Sequence, residues 1–256
     1  MKKLKPSHLY LVVVLIIMYL PVLVVIAFSF NASKLSTIWE GFSLMWYQKL
    51  FQNTVLLETL KNSLILGVAS CGISAVIGTA GAVGMARSKF KLKSAIENIS
   101  IIPVMIPEII LGMAFLSFFS LLGMKFGMMT LIAAHCAFCV PYIFMMVKGA
   151  LAGIDPSIPD AARDLGATDL RAFWDVTLPL ILPAILSGSF LAFAMSLDDV
   201  IISFFVTGPE TNTLPVKIYS QLKMGVTPEI NALCTIMLAV TFIIVILSNM
   251  FRKKTI

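Results

Sequence analysis

Charged residues are scarce in this sequence. Asp, Glu, Lys and Arg together make up 12% of the 256 residues, whereas hydrophobic residues make up 59%. The mean hydropathy is +0.98. A soluble globular domain carries about 25% charged residues, and a soluble fold of this length has no means of burying so much apolar surface. The composition therefore excludes a soluble protein and indicates an all-α protein that crosses a membrane several times.

Several motifs for chemistry are missing as well. The sequence holds no GxxxxGK[ST] phosphate-binding loop, no His-Glu-x-x-His pattern and no Ser-His-Asp arrangement. We therefore expect the chain to be no enzyme and to hold neither ATP nor a metal or other cofactor itself. The net charge is +6, but the charges lie between apolar runs rather than along one face, which argues against nucleic acid as a partner.

Cysteine is also rare. The four cysteines, Cys71, Cys136, Cys139 and Cys234, all lie in apolar runs. The pair Cys136-x-x-Cys139 has no second pair and no ligand cluster near it in the sequence. Small buried thiols are the favoured interpretation, with a metal or redox role as the alternative.

What the sequence does contain is a series of long apolar runs, which predict membrane-spanning helices in a single domain over 1–256. The six predicted spans cover residues 8–30, 62–86, 99–122, 126–148, 180–206 and 230–251. The second span carries a small residue at every fourth position, namely Ser70, Ser74, Gly78, Ala82 and Ala86. Such a face predicts close approach of another helix.

The distribution of Lys and Arg predicts the orientation. The N-terminus, the loops after the second and fourth spans and the C-terminus hold 13 of the 19 basic residues, and the opposite side holds six. Cytoplasmic loops of membrane proteins carry the excess of positive charge. We therefore expect both termini and the loop at 151–179 in the cytoplasm.

This loop, residues 151–179, contains signals for two short helices. Ser157 as N-cap and Asp160 in the first turn predict a helix that Gly166 ends in the left-handed region. Thr168 or Asp169 is expected to cap a second helix that continues through Trp174. Leu178-Pro179 then predicts a turn into the fifth span.

Ionisable residues inside the spans mark a possible pathway, since a charge at that depth costs about 2.5–3.5 kcal/mol. Counting along continuous helices places Glu108 near the middle of the membrane and Asp198 and Asp199 near its outer side. The alternatives are a hydrated helix end for the Asp pair and a cap on a broken helix for Glu108. His135 is expected to be a hydrogen-bonded core residue.

Three carboxylates without a deep Lys or Arg suit a cationic substrate, because an anion would be repelled. Ser196 lies on the same helix side as Asp199, three residues earlier. Trp46 is typical of an aromatic residue at the membrane interface, and we include both residues in the predicted substrate pathway.

The loop motif resembles a known one. The run Asp160-Ala161-Ala162, then Gly166, then Val176-x-Leu178-Pro179 is similar to the EAA motif of ABC importer permeases, with Asp for the usual Glu and Val for the usual Ile. Further stretches resemble the permeases of bacterial polyamine importers. They are FSFNAS at 28–33, SLDDVIISFFVTGP at 196–209, LPVKIYS at 214–220 and GVTPEINAL at 225–233.

The resemblance implies a type I ABC importer permease in the bacterial cytoplasmic (inner) membrane, which carries spermidine or putrescine inward by alternating access. It implies Asp198, Asp199, Glu108, Ser196 and Trp46 as pathway residues. Residues that dock the ATPase would be Asp160, Ala161, Ala162, Gly166, Leu178 and Pro179. The implied partners are membrane lipid, a second permease subunit, an ATPase dimer that binds ATP and Mg²⁺, and an extracytoplasmic polyamine-binding protein.

The sequence is compatible with three alternatives. One is a proton- or ion-coupled secondary transporter of organic cations that uses Glu108 and Asp198 as a relay, although no inverted repeat is evident. Another is an ABC permease for a different cationic solute. A cation channel subunit is the third, but no stretch resembles a selectivity filter.

Overall fold

Helices form nearly all of the regular structure in the computed structural model, which describes residues 6–34, 38–88, 91–222 and 227–252. In those ranges the extended pairing is limited to one isolated bridge between Asn31 and Phe42. The helices are α1 Pro6–Ser29, α2 Met45–Gln52, α3 Thr54–Arg87, α4 Lys93–Met105, α5 Glu108–Leu121, α6 Met128–Ala152, α7 Ser157–Asp164, α8 Asp169–Ala172, α9 Leu178–Asp198, α10 Ile201–Val206, α11 Leu214–Leu222 and α12 Pro228–Arg252. The all-α fold class is confirmed.

The chain divides into two compact units, and the first consists of residues 1–57 and 218–256. Here α12 packs against α1 and α2. Asn31 organises the segment after α1, because its side chain donates to the Ile38 carbonyl at 2.6 Å and accepts the Glu40 N–H at 2.9 Å. The Asn53 amide donates to Glu229 Oε2 at 2.9 Å, which ties the end of α2 to the start of α12.

The second unit, residues 58–217, is built around α6, which packs against α9, α4, α10 and α5. Its fully buried side chains include Leu131, Ile143 and Val147. An ideal Cβ on Gly78 would lie 3.1 Å from Ile143 Cβ, and one on Gly188 would lie 3.1 Å from Ile143 Cα. Both α3 and α9 therefore approach α6 closely. The predicted small-residue face on α3 is confirmed as a packing face at Ser70, Ser74, Gly78 and Ala82, which are buried, whereas Ala86 is exposed.

Two predicted spans are broken. The third span consists of α4 and α5, which meet at an angle of 104°. The residue before Pro107 is Ile106, which has the extended backbone (φ −76°, ψ 132°) that a following proline favours. The fifth span stops at Asp198, because Asp199 is extended (φ −66°, ψ 120°), and α10 follows as a separate helix.

The remaining differences from the prediction concern the length and the number of the helices. Within the described ranges, four helices are long and apolar enough to cross a membrane, or five if α4 and α5 count as one bent span. The apolar part of α12 whose side chains are described, Pro228–Ile243, is shorter. Two helices, α2 and α11, form where no helix was predicted. The terminal segments 1–5 and 253–256, Lys89 and the first two residues of the 225–233 stretch lie outside the described residues.

Candidate functional site

The two helix breaks come together around one small cavity in the second unit. Its volume is about 50 Å³. The walls come from α4, α5, α6, α9, α10 and the two breaks, through Pro103, Val104, Ile106, Glu108, Leu111, Phe138, Tyr142, Met195, Asp199 and Ile202. Glu108 and Asp199 therefore lie at one cavity, although the sequence places them at different depths, because a count along continuous helices does not hold across the breaks.

Glu108 is the first residue of α5. This position is at the positive end of the helix dipole, which is a favourable place for an acidic side chain. The side chain also lines the cavity. The two interpretations of Glu108, helix end and pathway residue, are therefore compatible.

Asp199 is buried and has several hydrogen-bond donors around it. Its Oδ1 accepts the Ile202 N–H at 3.1 Å, and its Oδ2 accepts the Ser203 N–H at 2.7 Å. These are N–H groups at the start of α10, which have no acceptor within their own helix. His135 Nε2 lies 3.4 Å from Asp199 Oδ2. Asp199 is thus a structural residue of the break as well as a lining residue of the cavity.

His135, at the centre of this network, is completely buried. Its Nδ1 is 2.8 Å from Ser196 Oγ and its Nε2 is 3.0 Å from Ser203 Oγ. The Ser196 hydroxyl is also 3.4 Å from the Ser70 hydroxyl on α3. The prediction of a hydrogen-bonded core histidine is confirmed, and Ser196 is placed in contact with it.

Three predicted pathway residues, Ser196, Asp198 and Trp46, do not line this cavity. Asp198 is exposed at the end of α9, so the adjacent carboxylates Asp198 and Asp199 have different environments. Trp46 belongs to the first unit, where it is buried and its Nε1 donates to the Asn31 carbonyl at 2.7 Å. Their pathway role stays a prediction.

Other residues that line the cavity or belong to the hydrogen-bond network are not evident from the sequence. Phe138 and Tyr142 are one turn apart on α6 and look like ordinary apolar or interfacial residues of a span. Ser203, four residues after Asp199, is a polar residue that indicates where α10 starts. It lies within the apolar run from Val200 to Phe205, and that run predicts a continuous helix instead. These residues come together through contacts between helices that are distant in the sequence, so no local sequence pattern predicts their place in the site.

The cysteines take no part in this site. They are free thiols. Cys71 Sγ is 3.1 Å from the Ser189 carbonyl, and Cys136 and Cys139 are each 3.6 Å from a backbone carbonyl, Ser70 and Ala192 respectively. Within the described part of the chain, no three metal-ligating side chains come together.

A second candidate site is the segment between α6 and α9. Helix α7 ends in the predicted way, because Gly166 has φ +89° and a pair of backbone bonds closes the end. The Gly166 N–H donates to the Arg163 carbonyl at 2.8 Å and the Ala167 N–H to the Ala162 carbonyl at 3.0 Å. This is the Schellman arrangement, which requires a left-handed residue at the Gly166 position.

The start of α7 differs from the prediction by one position. Ser157 is the first helical residue instead of the N-cap, and Pro156 occupies the cap position. The side chain of Asp155 accepts the Ser157 N–H at 2.9 Å, and this bond holds the pKa of Asp155 below its ordinary value. A carboxylate therefore does bind a free N–H at the start of α7. It is the carboxylate of Asp155, which precedes the helix, and not that of Asp160.

Arg163 connects the two short helices of the segment. Its guanidinium pairs with Asp160 on α7, and its Nε donates to Asp169 Oδ1 on α8 at 2.7 Å. The Thr168 hydroxyl accepts the Arg171 N–H at 3.3 Å, which confirms Thr168 as the cap of α8. The acid of the EAA-like motif is therefore held by a side chain of its own helix.

The predicted turn at Leu178-Pro179 is absent. A five-residue π-helical stretch, Phe173–Thr177, joins α8 to α9, and the helix from Asp169 to Asp198 runs for 30 residues. Pro179 lacks the N–H that an α-helix would use, and a π-helical turn just before it changes the hydrogen-bond pattern at that point. Leu178 and Pro179 therefore begin α9.

The surface of α7 is open in the isolated chain. None of its residues is buried. Ile158 is 46% exposed, and Leu165 just after the helix is 91% exposed, a high value for a large apolar side chain. Asp160 and Ala161 are exposed and Ala162 is half-buried. An exposed apolar surface of this kind is typical of a protein contact.

Comparisons with known proteins give a consistent result. Residues 74–253 match the family model described as "binding-protein-dependent transport system inner membrane component". The chain is 38% identical over 239 residues to the spermidine/putrescine transport system permease protein PotC of Escherichia coli K12, covering 93% of this chain and 90% of that one. It is also 38% identical over 234 residues to the putrescine transport system permease protein PotI of the same strain, covering 89% and 83%.

A solved structure has the same fold. It is the crystal structure of a bacterial alginate ABC transporter in complex with an alginate pentasaccharide-bound periplasmic protein. The similarity covers 94% of this chain and 90% of that chain, with a TM-score of 0.72 and 18% identity. At that identity the match concerns the fold.

Proposed function

Because the chain belongs to the family of binding-protein-dependent transport system inner membrane components, we propose that it is the permease subunit of an ATP-driven importer that moves spermidine or putrescine into the cytoplasm. The observation that carries the choice of substrate is the cavity with Glu108 and Asp199 in its wall. None of the residues lining it is Lys or Arg, so its field favours an ammonium group.

The size of the cavity limits what enters it. A site needs about 10–15 Å³ for one water molecule, so about 50 Å³ accommodates a few non-hydrogen atoms. That is enough for one aminoalkyl end of a polyamine and too little for the whole molecule. Phe138 and Tyr142 supply aromatic rings in the same wall, and a ring next to an ammonium contributes about 0.5–2 kcal/mol. The cavity therefore fits one ammonium end of the polyamine.

The carrier works by alternating access in a complex. A second permease subunit completes the pathway, lipid surrounds both, and an extracytoplasmic binding protein delivers the polyamine. An ATPase dimer holds ATP and Mg²⁺, and this chain holds no cofactor. Both termini and α7 lie on the cytoplasmic side, where α7 and Gly166 dock on the ATPase. Nucleotide drives the change because it binds one state better than the other.

Family membership also decides among the alternatives. It argues against a secondary transporter and a channel, since the family consists of components of binding-protein-dependent systems. An importer of another cationic solute is the second candidate, because the cavity recognises an ammonium end and not the full length of the substrate. The preference between putrescine and spermidine rests with the binding protein.

The test is transport by the complete complex in proteoliposomes. Spermidine and putrescine, delivered by the binding protein, should stimulate ATP hydrolysis and accumulate inside, whereas a monoamine of equal length should not. Glu108→Gln keeps the shape of the side chain and removes its charge. We expect it to reduce uptake by about tenfold or more, since a hydrogen bond to a charged group contributes about 1.5–3 kcal/mol.

The control for Glu108→Gln is Glu58→Gln, which removes a carboxylate from α3 at a position that does not line the cavity. Uptake by that variant should be normal. Stimulation by another cation in place of polyamines would overturn the choice of substrate. Normal polyamine uptake by Glu108→Gln at normal abundance would overturn the assignment of the cavity.

A further inference from the structure

The break between α9 and α10 has a histidine on its inner side. His135, on α6, contacts Ser196 one turn before the break at 2.8 Å and Ser203 just after it at 3.0 Å. Its Nε2 is also 3.4 Å from the Asp199 carboxylate. One imidazole therefore connects α6 to both helices that meet at the break.

The Asp199 carboxylate therefore has neighbours on two sides, namely the backbone of α10 and the imidazole of His135. The N–H groups of Ile202 and Ser203 donate to its two oxygens, and the imidazole lies beside Oδ2. The residue itself has an extended backbone, so no helix determines the direction of its side chain. With the backbone of α10 on one side and His135 on the other, the carboxylate keeps a fixed position in the cavity wall.

We infer that His135 is a positioning residue for transport: it holds the Asp199 carboxylate at the cavity that Glu108 also lines. The inference rests on the proposed function, because it assigns to His135 a role in substrate passage. His135 itself does not line the cavity and acts through Asp199. The two serines keep the ring in place, since each ring nitrogen has a hydroxyl partner.

Two amide substitutions separate the two sides of the ring. The side-chain nitrogen of Gln reaches about as far as Nε2, so His135→Gln retains a donor toward Asp199 and Ser203. Asn reaches only the region of Nδ1, so His135→Asn retains the Ser196 side and loses the Asp199 side. We expect uptake within about threefold of normal for His135→Gln and a loss of about tenfold or more for His135→Asn, the range for a lost hydrogen bond to a charged group.

A double variant tests whether the effect passes through Asp199. Asp199→Asn should itself reduce uptake, and His135→Asn should reduce it no further in that background, because coupled residues are not additive. A second comparison uses two serines of α9. Ser196→Ala removes the Nδ1 partner, whereas Ser187→Ala removes a hydroxyl that bonds only the Pro183 carbonyl of its own helix among the described contacts. Only Ser196→Ala should lower uptake.

All variants are measured as full complexes at saturating binding protein, with chain abundance and ATPase co-purification checked for each. Equal losses in His135→Gln and His135→Asn, or additive losses in the double variant, would overturn the inference and leave only a packing role. Normal uptake by Asp199→Asn with reduced uptake by His135→Asn would overturn it as well. Failure of the unmodified complex to transport polyamines would instead overturn the proposed function.

Discussion

Lys148 Nζ on α6 lies 2.7 Å from Glu97 Oε2 on α4. Helix α4 has no buried residue of its own, and α6 is the helix it packs against. The far end of α4 supplies Pro103 and Val104 to the wall of the cavity, and Ile106 follows directly after the helix. This ion pair therefore helps to hold one wall of the proposed substrate site in place.

Reversal of one charge in this pair should impair transport. Lys148→Glu places two carboxylates at the contact, and we expect uptake to fall several-fold. Lys148→Met, which removes only the attraction, should have a smaller effect, since the Lys148 side chain is 44% exposed and such pairs contribute about 0.2–1 kcal/mol. The exchange Glu97→Lys with Lys148→Glu restores opposite charges and should recover uptake. Equal uptake by the reversed and exchanged variants would contradict this role.

Gly166 is expected to be essential, because of its backbone, for the segment between α6 and α9 that we propose docks on the ATPase. A non-glycine residue in the left-handed region costs about 1–2 kcal/mol, and a β-branched one costs more. Gly166→Val should leave the chain in the membrane but abolish association with the ATPase, measured by co-purification.

A matched pair of alanine variants isolates the backbone effect. An ideal Cβ meets nothing within 4 Å at either Gly166 or Gly149, but Gly149 is helical and Gly166 has φ +89°. Gly166→Ala should weaken ATPase binding, whereas Gly149→Ala should not. Normal co-purification with Gly166→Val would count against docking through this segment.

The two adjacent aspartates should differ in their effect on transport. Asp199 is buried and Asp198 is exposed, and a charge pair at 4 Å gains about 4 kcal/mol at an effective dielectric of 20 but about 1 kcal/mol in water. Asp198→Asn should therefore reduce polyamine uptake less than Asp199→Asn, and the double variant should be the worst. Capture of polyamine by the binding protein should stay unchanged. A loss of uptake in Asp198→Asn that equals or exceeds the loss in Asp199→Asn would contradict this order.

Gly208 should be intolerant of any side chain. An ideal Cβ there would lie 2.2 Å from the Phe126 carbonyl oxygen, so the backbone itself must move. Overpacking of this kind costs about 1–3 kcal/mol, and Gly208→Ala should lower the thermal stability of the detergent-purified chain. Gly72→Ala, with nothing within 4 Å of the added Cβ, is the control and should keep the parent stability. Equal stability of both variants would contradict the close approach at Gly208.

Local chemistry explains what the sequence predicted well. The end of α7 follows from glycine at position 166, and the start of α8 follows from the hydroxyl of Thr168. The packing face of α3 follows from small residues at every fourth position. Each of these depends on residues within a few positions of one another, so the pattern is visible without the fold.

The helix break at Asp199 depends on distant contacts instead. Val200 to Phe205 continue an apolar run, which predicts an uninterrupted helix. The contacts of His135 with Ser196 and Ser203 join residues 61 and 68 positions apart. For the same reason the sequence did not show that Glu108 and Asp199 line one cavity, or that Asp198 lies outside it.

The π-helical stretch at Phe173–Thr177 has a mechanical consequence. Because it joins α8 to α9 without a turn, one rod of 30 residues extends from Asp169, which Arg163 ties to α7, to Asp198 beside the break. At 1.5 Å per residue the rod is about 45 Å long, so a tilt of about 5° at its Asp169 end displaces the Asp198 end by about 4 Å. If the segment between α6 and α9 docks on the ATPase as we propose, a small rotation of it is converted into a displacement as wide as the ammonium group that we propose binds beside Asp199.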